Sequence, residues 1–249
     1  MSATQAIQWP LLRRMVEELK EALGGQLKCL VLYGSAARGD YHEGTSDFNL
    51  VLVAERLDPA TLEALSLPVA RWRRKGQPPP RLLTEALIRE SLDVYPIEFL
   101  DIRTHHVVLQ GSDPFAGLRV RADQLRLQCE RDLREKVMRL REGYVEAHAS
   151  KENLRRLLVG SYSTFVALFR GCLHLVGTAP PARNGDVAAA FCVRAGIDPA
   201  PFEAVERLRQ GTGAAGVDLK TLFSGYYGAL QTAVGAVDHF RPGDGGETR

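Results

Sequence analysis

Leu30-Val31-Leu32-Tyr33-Gly34-Ser35-Ala36-Ala37-Arg38-Gly39-Asp40 is followed, after a four-residue spacer, by Thr45-Ser46-Asp47-Phe48-Asn49-Leu50-Val51. An apolar run ends in Gly34-Ser35, a short turn carries Arg38, and a second apolar run opens with Asp47 and Asn49 two positions apart. Glycine lets the backbone turn sharply, so that N–H groups and a hydroxyl come close to an anion. The helical turn that follows presents its N-terminus, which favours phosphate, and Arg38 can add a charge-assisted contact. Side chains alternate along a strand, so a strand over 47–53 puts Asp47, Asn49 and Val51 on one face and Phe48, Leu50 and Leu52 on the other. Oxygen ligands without His or Cys suit Mg²⁺, with Mn²⁺ as the alternative. A third carboxylate from a neighbouring strand would complete such a site.

Upstream, Ile7, Leu11, Leu12, Met15, Leu19 and Leu23 recur at helical steps, which predicts an amphipathic helix over 5–23, ended by Gly24-Gly25. Leu27 to Tyr33 reads as a strand buried on both faces. Residues 36–40 read as a helical turn and 41–45 as a loop. Downstream, Asp58-Pro59 starts a helix that is expected to break near Pro68. The basic run Arg71 to Lys75 fits a solvated helix end. Residues 81–84 predict a short strand and 85–92 a short helix. Tyr95 to Ile102 is expected to be a third core strand, with Glu98 and Asp101 on opposite faces. Residues 107–109 predict a small further strand, and 111–114 a closing turn.

After about residue 118 the strand-like runs stop. Helices are expected over 123–149, 151–176, 186–195, 198–210 and 218–240, with a flexible connection at 211–216 and a fraying Gly-rich tail. The fold class is therefore α+β: a mixed sheet with flanking helices over residues 1–117, followed by a helical bundle over 118–249.

The net charge of +2 argues against a dedicated binder of long nucleic acid. Cys29, Cys129, Cys172 and Cys192 show no metal-ligand spacing and read as buried free thiols in a reducing compartment. With no signal-peptide pattern and no apolar run of ~18 residues, a cytoplasmic protein without membrane contact is expected. The apolar helix at 154–175 leaves a homodimer open. His105 and His106 are adjacent, so on a strand they face opposite ways and do not share an ion. Arg141 and His148 lie seven apart on one helical face. The pair resembles the helix motif of HEPN-type ribonucleases, but it is short and common, and exposed helix residues explain it as well.

Gly34-Ser35-x-x-Arg38-Gly39, then Ser46-Asp47-x-Asn49-Leu50, resembles the signature of the DNA-polymerase-β-like nucleotidyltransferase superfamily, especially its minimal and aminoglycoside branches. The resemblance implies that Gly34 and Ser35, with Arg38, hold the phosphates of a nucleoside triphosphate, ATP being the first candidate. It implies that Asp47, Asn49 and Glu98 hold Mg²⁺ and carry catalysis, with Asp101 as the substitute for Glu98. It further implies transfer of a nucleoside monophosphate to a hydroxyl of an unidentified small-molecule or protein acceptor, with the helical half as the acceptor wall. The sequence departs from the family at one point. The second acidic residue of the motif is Asn49, a neutral amide, so weak catalysis or nucleotide binding without turnover is the alternative expectation.

Overall fold

A computed structural model describes residues 2, 5–6, 8–39, 41, 47–212, 216, 218–240 and 247–248. Ile7, Asp40, Ser46, most of the 41–45 loop, much of the 211–216 connection and most of the tail lie outside the described residues. The chain divides into two compact units, Met1–Leu118 and Arg119–Arg249.

The first unit is built on a four-stranded sheet. The helix expected over 5–23 is interrupted: Gln5 and Ala6 are helical, a turn follows at Gln8 and Trp9, and helix α1 (Pro10–Leu23) begins at Pro10, whose missing N–H costs nothing in a first turn. Its end is set by Gly24, at φ +50. Strand β1 (Leu27–Tyr33) is buried through Cys29–Leu32. Then come the single turn α2 (Ser35–Arg38), β2 (Asn49–Ala54), α3 (Pro59–Arg73), β3 (Arg81–Leu83), α4 (Glu85–Glu90), α5 (Pro96–Thr104) and β4 (His106–Gly111). The sheet order is β3-β2-β1-β4. β1 is antiparallel to β2 and to β4, and β3 is parallel to β2.

Three expectations are corrected. Helix α3 runs through Pro68 without a break. β2 begins at Asn49, so Asp47 precedes the strand and strand parity does not fix its direction. Tyr95 to Ile102 is not a strand: α5 covers it, with Pro96 in its first turn and Ile97, Phe99, Leu100 and Ile102 all buried. Burial at both i+2 and i+3 spacings fits a short helix sunk into the core better than a half-buried strand.

Each face of the sheet has its own core. Leu30, Leu32, Leu50 and Leu52 pack with Leu12, Met15, Leu19, Leu65 and Trp72 from α1 and α3. Val31, Val51 and Val53 pack with Ile88, Phe99, Ile102 and Phe115, which brings α4 and α5 onto the other face. At the far end of β4 the strands approach closely. A Cβ on Gly111 would sit 1.8 Å from the carbonyl oxygen of Lys28, and the residue has φ +82.

The second unit holds α6 (Ala122–Ala147), α7 (Lys151–Leu175), α8 (Asn184–Ala195), α9 (Ala200–Arg209) and α10 (Leu219–Asp238). A two-residue strand β5 (Val120–Arg121) pairs with β6 (Glu247–Thr248). On α6 the side chains of Leu125, Cys129, Leu133, Val137 and Leu140 recur at helical spacing and are buried, while Tyr144, expected on the same stripe, is half-buried. Arg170 is 2 % exposed and donates to the carbonyls of Pro181 and Ala182, pinning the proline-containing loop before α8. All four cysteines are free and buried. Among the described residues no helix is long and apolar enough to cross a membrane.

Candidate active site

The candidate site gathers at the end of β1. Gly34 has φ +79 and leads into α2, with Ser35 as its first residue. Tyr33 pairs with Asn49 of β2 on one side and with His106 of β4 on the other. Directly paired residues share a face, so the three side chains form a row on the face that carries α5. Asn49 also leans over the turn: a Cβ built on Gly34 would lie 3.0 Å from its side-chain nitrogen. Glycine at 34 is therefore required twice, for its backbone angle and for this approach.

Helix α5 brings Glu98 and Asp101 to the same face. The earlier expectation that they point to opposite sides assumed a strand. On a helix, residues three apart are neighbours. Arg38 Nη1 donates to both carboxylate oxygens of Asp101, at 3.1 and 3.2 Å, and the Arg38 side chain is only 10 % exposed. So Asp101 holds Arg38 in place, while Arg38 Nε is buried without a hydrogen-bond partner among the described residues. A buried, unmatched N–H of a cation beside a Gly-Ser turn fits an incoming phosphate oxygen.

Two residues that the sequence reading missed complete the cluster. Burial pushes the Tyr33 phenol above its ordinary pKa. Arg81, hydrogen-bonded to it, opposes the shift, and the nearby Asp101 and Glu98 carboxylates add to it. Tyr33 was read only as a strand residue and Arg81 only as the start of a short strand. The pairing Val51↔Arg81 puts Arg81 on the shared face, and that depends on a parallel register no local pattern reveals. Asp47 is exposed, two residues ahead of the end of the β1–β2 ladder.

The donor set suits a hard cation. Asp47, Asn49 and Glu98 offer oxygen only, and Mg²⁺ commonly takes one or two carboxylates together with substrate phosphates and water. Among the described residues no three His, Cys, Asp or Glu side chains are placed to share an ion. His106 has a structural place: Nε2 lies 3.1 Å from Asp113 Oδ2, and the ring packs edge-on to Phe115. In the second unit Arg141 Nε donates to the Tyr227 hydroxyl at 2.9 Å, and His148 Nδ1 meets the Val145 carbonyl. Arg141 thus spends a donor on packing against α10.

Residues 12–103 match the nucleotidyltransferase domain family. In fold, the chain is similar to the crystal structure of spectinomycin adenyltransferase AAD(9) from Enterococcus faecialis with ATP and spectinomycin. The TM-score is 0.55 at 11% identity, over 90% of this chain and 99% of that one. No curated protein sequence matches the chain. The segment that matches the family contains the Gly34-Ser35 turn, Asn49, Arg81, Glu98 and Asp101. Residues 12–103 thus match a nucleotidyltransferase domain, a family whose chemistry is nucleotidyl transfer, and the likeness to AAD(9) is one of fold.

Proposed function

We propose that this protein transfers a nucleoside monophosphate from a nucleoside triphosphate to a hydroxyl of a small molecule. The observation that carries the reading is the row at the end of β1: a phosphate-type turn at Gly34-Ser35, with Asn49 across it and Glu98, Asp101 and Arg81 around Tyr33. ATP is the first donor to try, since the similar AAD(9) structure was solved with it, and the spectinomycin there supports a small-molecule acceptor.

In this reading the turn N–H groups, the Ser35 hydroxyl and Arg38 bind the β- and γ-phosphates. Asp101 keeps the Arg38 guanidinium aimed, so that little side-chain freedom is lost on binding. Glu98 takes the proton of the acceptor hydroxyl. The acceptor oxygen bonds to the α-phosphorus, the bond to the bridging oxygen breaks, and pyrophosphate leaves. Asp47, Asn49 and Glu98 would hold Mg²⁺, or Mn²⁺, which when bound supplies charge neutralisation at the phosphates. Arg81 balances the carboxylates at the edge of the site.

The test is Mg²⁺-dependent pyrophosphate release from ATP over a panel of hydroxyl acceptors. Asp47→Ala is expected to lower the rate by at least ~10³-fold, the scale of losing a charged group that acts on the transition state. Failure of the wild type to bind any triphosphate with either metal would sink the proposal. The neutral Asn49 favours a second reading, nucleotide binding without turnover. It expects calorimetric binding of Mg-ATP, no pyrophosphate, and gain of activity in Asn49→Asp.

A further inference from the structure

Phe48 lies between Asp47 and Asn49. On the β1 side strand pairing begins at Asn49, and on the β3 side only at Val51. Phe48 is 4 % exposed, and leaving a backbone donor unpaired in so buried a residue is costly. The chain that runs toward β3 at this point is Gly76-Gln77-Pro78-Pro79-Pro80. Its three prolines carry no N–H to donate to a ladder, and their carbonyls are not the partner that the Phe48 N–H takes. The acceptor comes instead from a side chain: Phe48 N–H donates to Gln77 Oε1 at 2.8 Å. Since the backbone N–H can only donate, the amide oxygen is the atom that must face it.

Gln77 is itself held. Trp72 Nε1 donates to the Pro78 carbonyl at 2.7 Å, which ties the loop back to α3. The Trp72 ring lies 6.3 Å from that of Phe48, and Phe48 stacks on Tyr41 at 4.7 Å, with Trp9 packed against both. The ring of Phe48 is clamped by aromatics and its N–H by Gln77. The bonded N–H belongs to the Asp47–Phe48 peptide plane, and a rotation of that plane about the Phe48 N–Cα bond carries the Asp47 Cα and its side chain with it.

We propose that Gln77 is a positioning residue for nucleotidyl transfer: by holding the Asp47–Phe48 peptide it sets the direction of the Asp47 carboxylate and the spacing between Asp47 and Asn49. The proposal rests on the function argued above. It gives the loop after α3 a task at the metal-binding end of the site, although Gln77 touches neither metal nor substrate. Losing the bond leaves the aromatic clamp in place, so the domain stays folded while the carboxylate loses its fixed direction.

The full-length chain is compared with Gln77→Met, which matches the length but lacks the acceptor, and with Gln77→Glu, which keeps an acceptor oxygen. The readouts are Mn²⁺ binding by electron paramagnetic resonance with a non-hydrolysable ATP analogue present, analogue binding by calorimetry without metal, and thermal melting. Gln77→Met is expected to weaken Mn²⁺ binding ~10-fold or more, the usual scale for removing a partner that orients a metal ligand. Metal-free analogue binding should stay within about twofold and melting within about 5 °C, and Gln77→Glu should restore Mn²⁺ affinity. Wild-type metal affinity in Gln77→Met, or failure of Gln77→Glu to restore it, overturns the positioning role and leaves the function standing. Collapse of the fold in Gln77→Met overturns it too, since the bond would then hold the domain and not the site. If the wild type binds neither Mn²⁺ nor analogue, the functional reading fails and takes this role with it.

Discussion

Arg38–Asp101 in the sheet unit and Arg139–Glu135 on α6 are both arginine–carboxylate pairs, and the second is the shorter, 2.7 Å against 3.1 Å. The longer pair is the more consequential. Arg38 reaches 63 positions along the chain and is 10 % exposed, with Asp101 at 28 %. Arg139 reaches back one helical turn, and the two side chains are 69 % and 44 % exposed. Water and salt screen the surface pair, whereas Arg38 has little water to fall back on. Both units hold pairs of each kind, since Arg134 of α6 reaches 104 positions to Asp238 and Arg14–Glu18 spans one turn of α1. The sheet unit ties distant segments together through Phe48–Gln77 and Arg38–Asp101, while α6 arranges many of its charges as neighbours such as Arg126–Glu130 and Arg134–Glu130.

Substitutions in matched places sharpen the contrast. Both tryptophans, Trp9 and Trp72, lie in the sheet unit, so their fluorescence follows its unfolding alone. The largest effect is expected from Gly111→Ala. The new Cβ collides with the Lys28 carbonyl at a backbone angle that side chains disfavour, and a loss of about 3 kcal/mol or more should appear in urea unfolding. Next is Arg38→Met, which strands the Asp101 carboxylate and should cost about 2 kcal/mol, with triphosphate affinity falling alongside. In the helical unit Gly160→Ala goes the other way. Nothing lies within 4 Å of the added methyl, and helix propensity should stabilise by about 0.5–1 kcal/mol in thermal melts followed by circular dichroism. Arg139→Met should change stability by less than about 0.5 kcal/mol. An equal cost for Arg38→Met and Arg139→Met would break the comparison.

Acid exposes a feature the two units share. Asp58 caps α3 and Asp218 caps α10. Thr61, chiefly through its backbone N–H, holds the Asp58 carboxyl below its ordinary pKa, and Thr221, chiefly through its hydroxyl, does the same for Asp218. A folded value below the unfolded one contributes stability that is full above about pH 4 and is lost as the pH falls through the folded value. The melting advantage of wild type over Asp58→Ala should therefore be flat above about pH 5 and shrink on further acidification. An advantage that grew toward low pH would show that the carboxylate is not the capping species.

Local chemistry made much of this fold readable from the sequence. Gly34-Ser35, the apolar runs of β1 and β2, the Asp58 cap and the stripe on α6 each announce themselves within a few residues. What escaped depends on distance along the chain. Tyr95 to Ile102 is apolar enough to pass for a strand, but the place beside β1 is taken by β4. Pro96, suited to a first helical turn, was the available signal. That mistake separated Glu98 from Asp101. The roles of Arg81 and Gln77 were hidden for the same reason, since each is defined by a partner 29 or more positions away: Phe48 for Gln77, and Tyr33 for Arg81.

The close fit of Asn49 over Gly34 carries a consequence for the history of such a site. Aspartate has the same shape as asparagine, so an acidic residue at 49 would ask for no repacking around the turn. Codons for the two residues differ at a single base. A lineage carrying this chain stands one point mutation from a doubly acidic motif, and selection could adjust the strength of the chemistry there while leaving the architecture untouched.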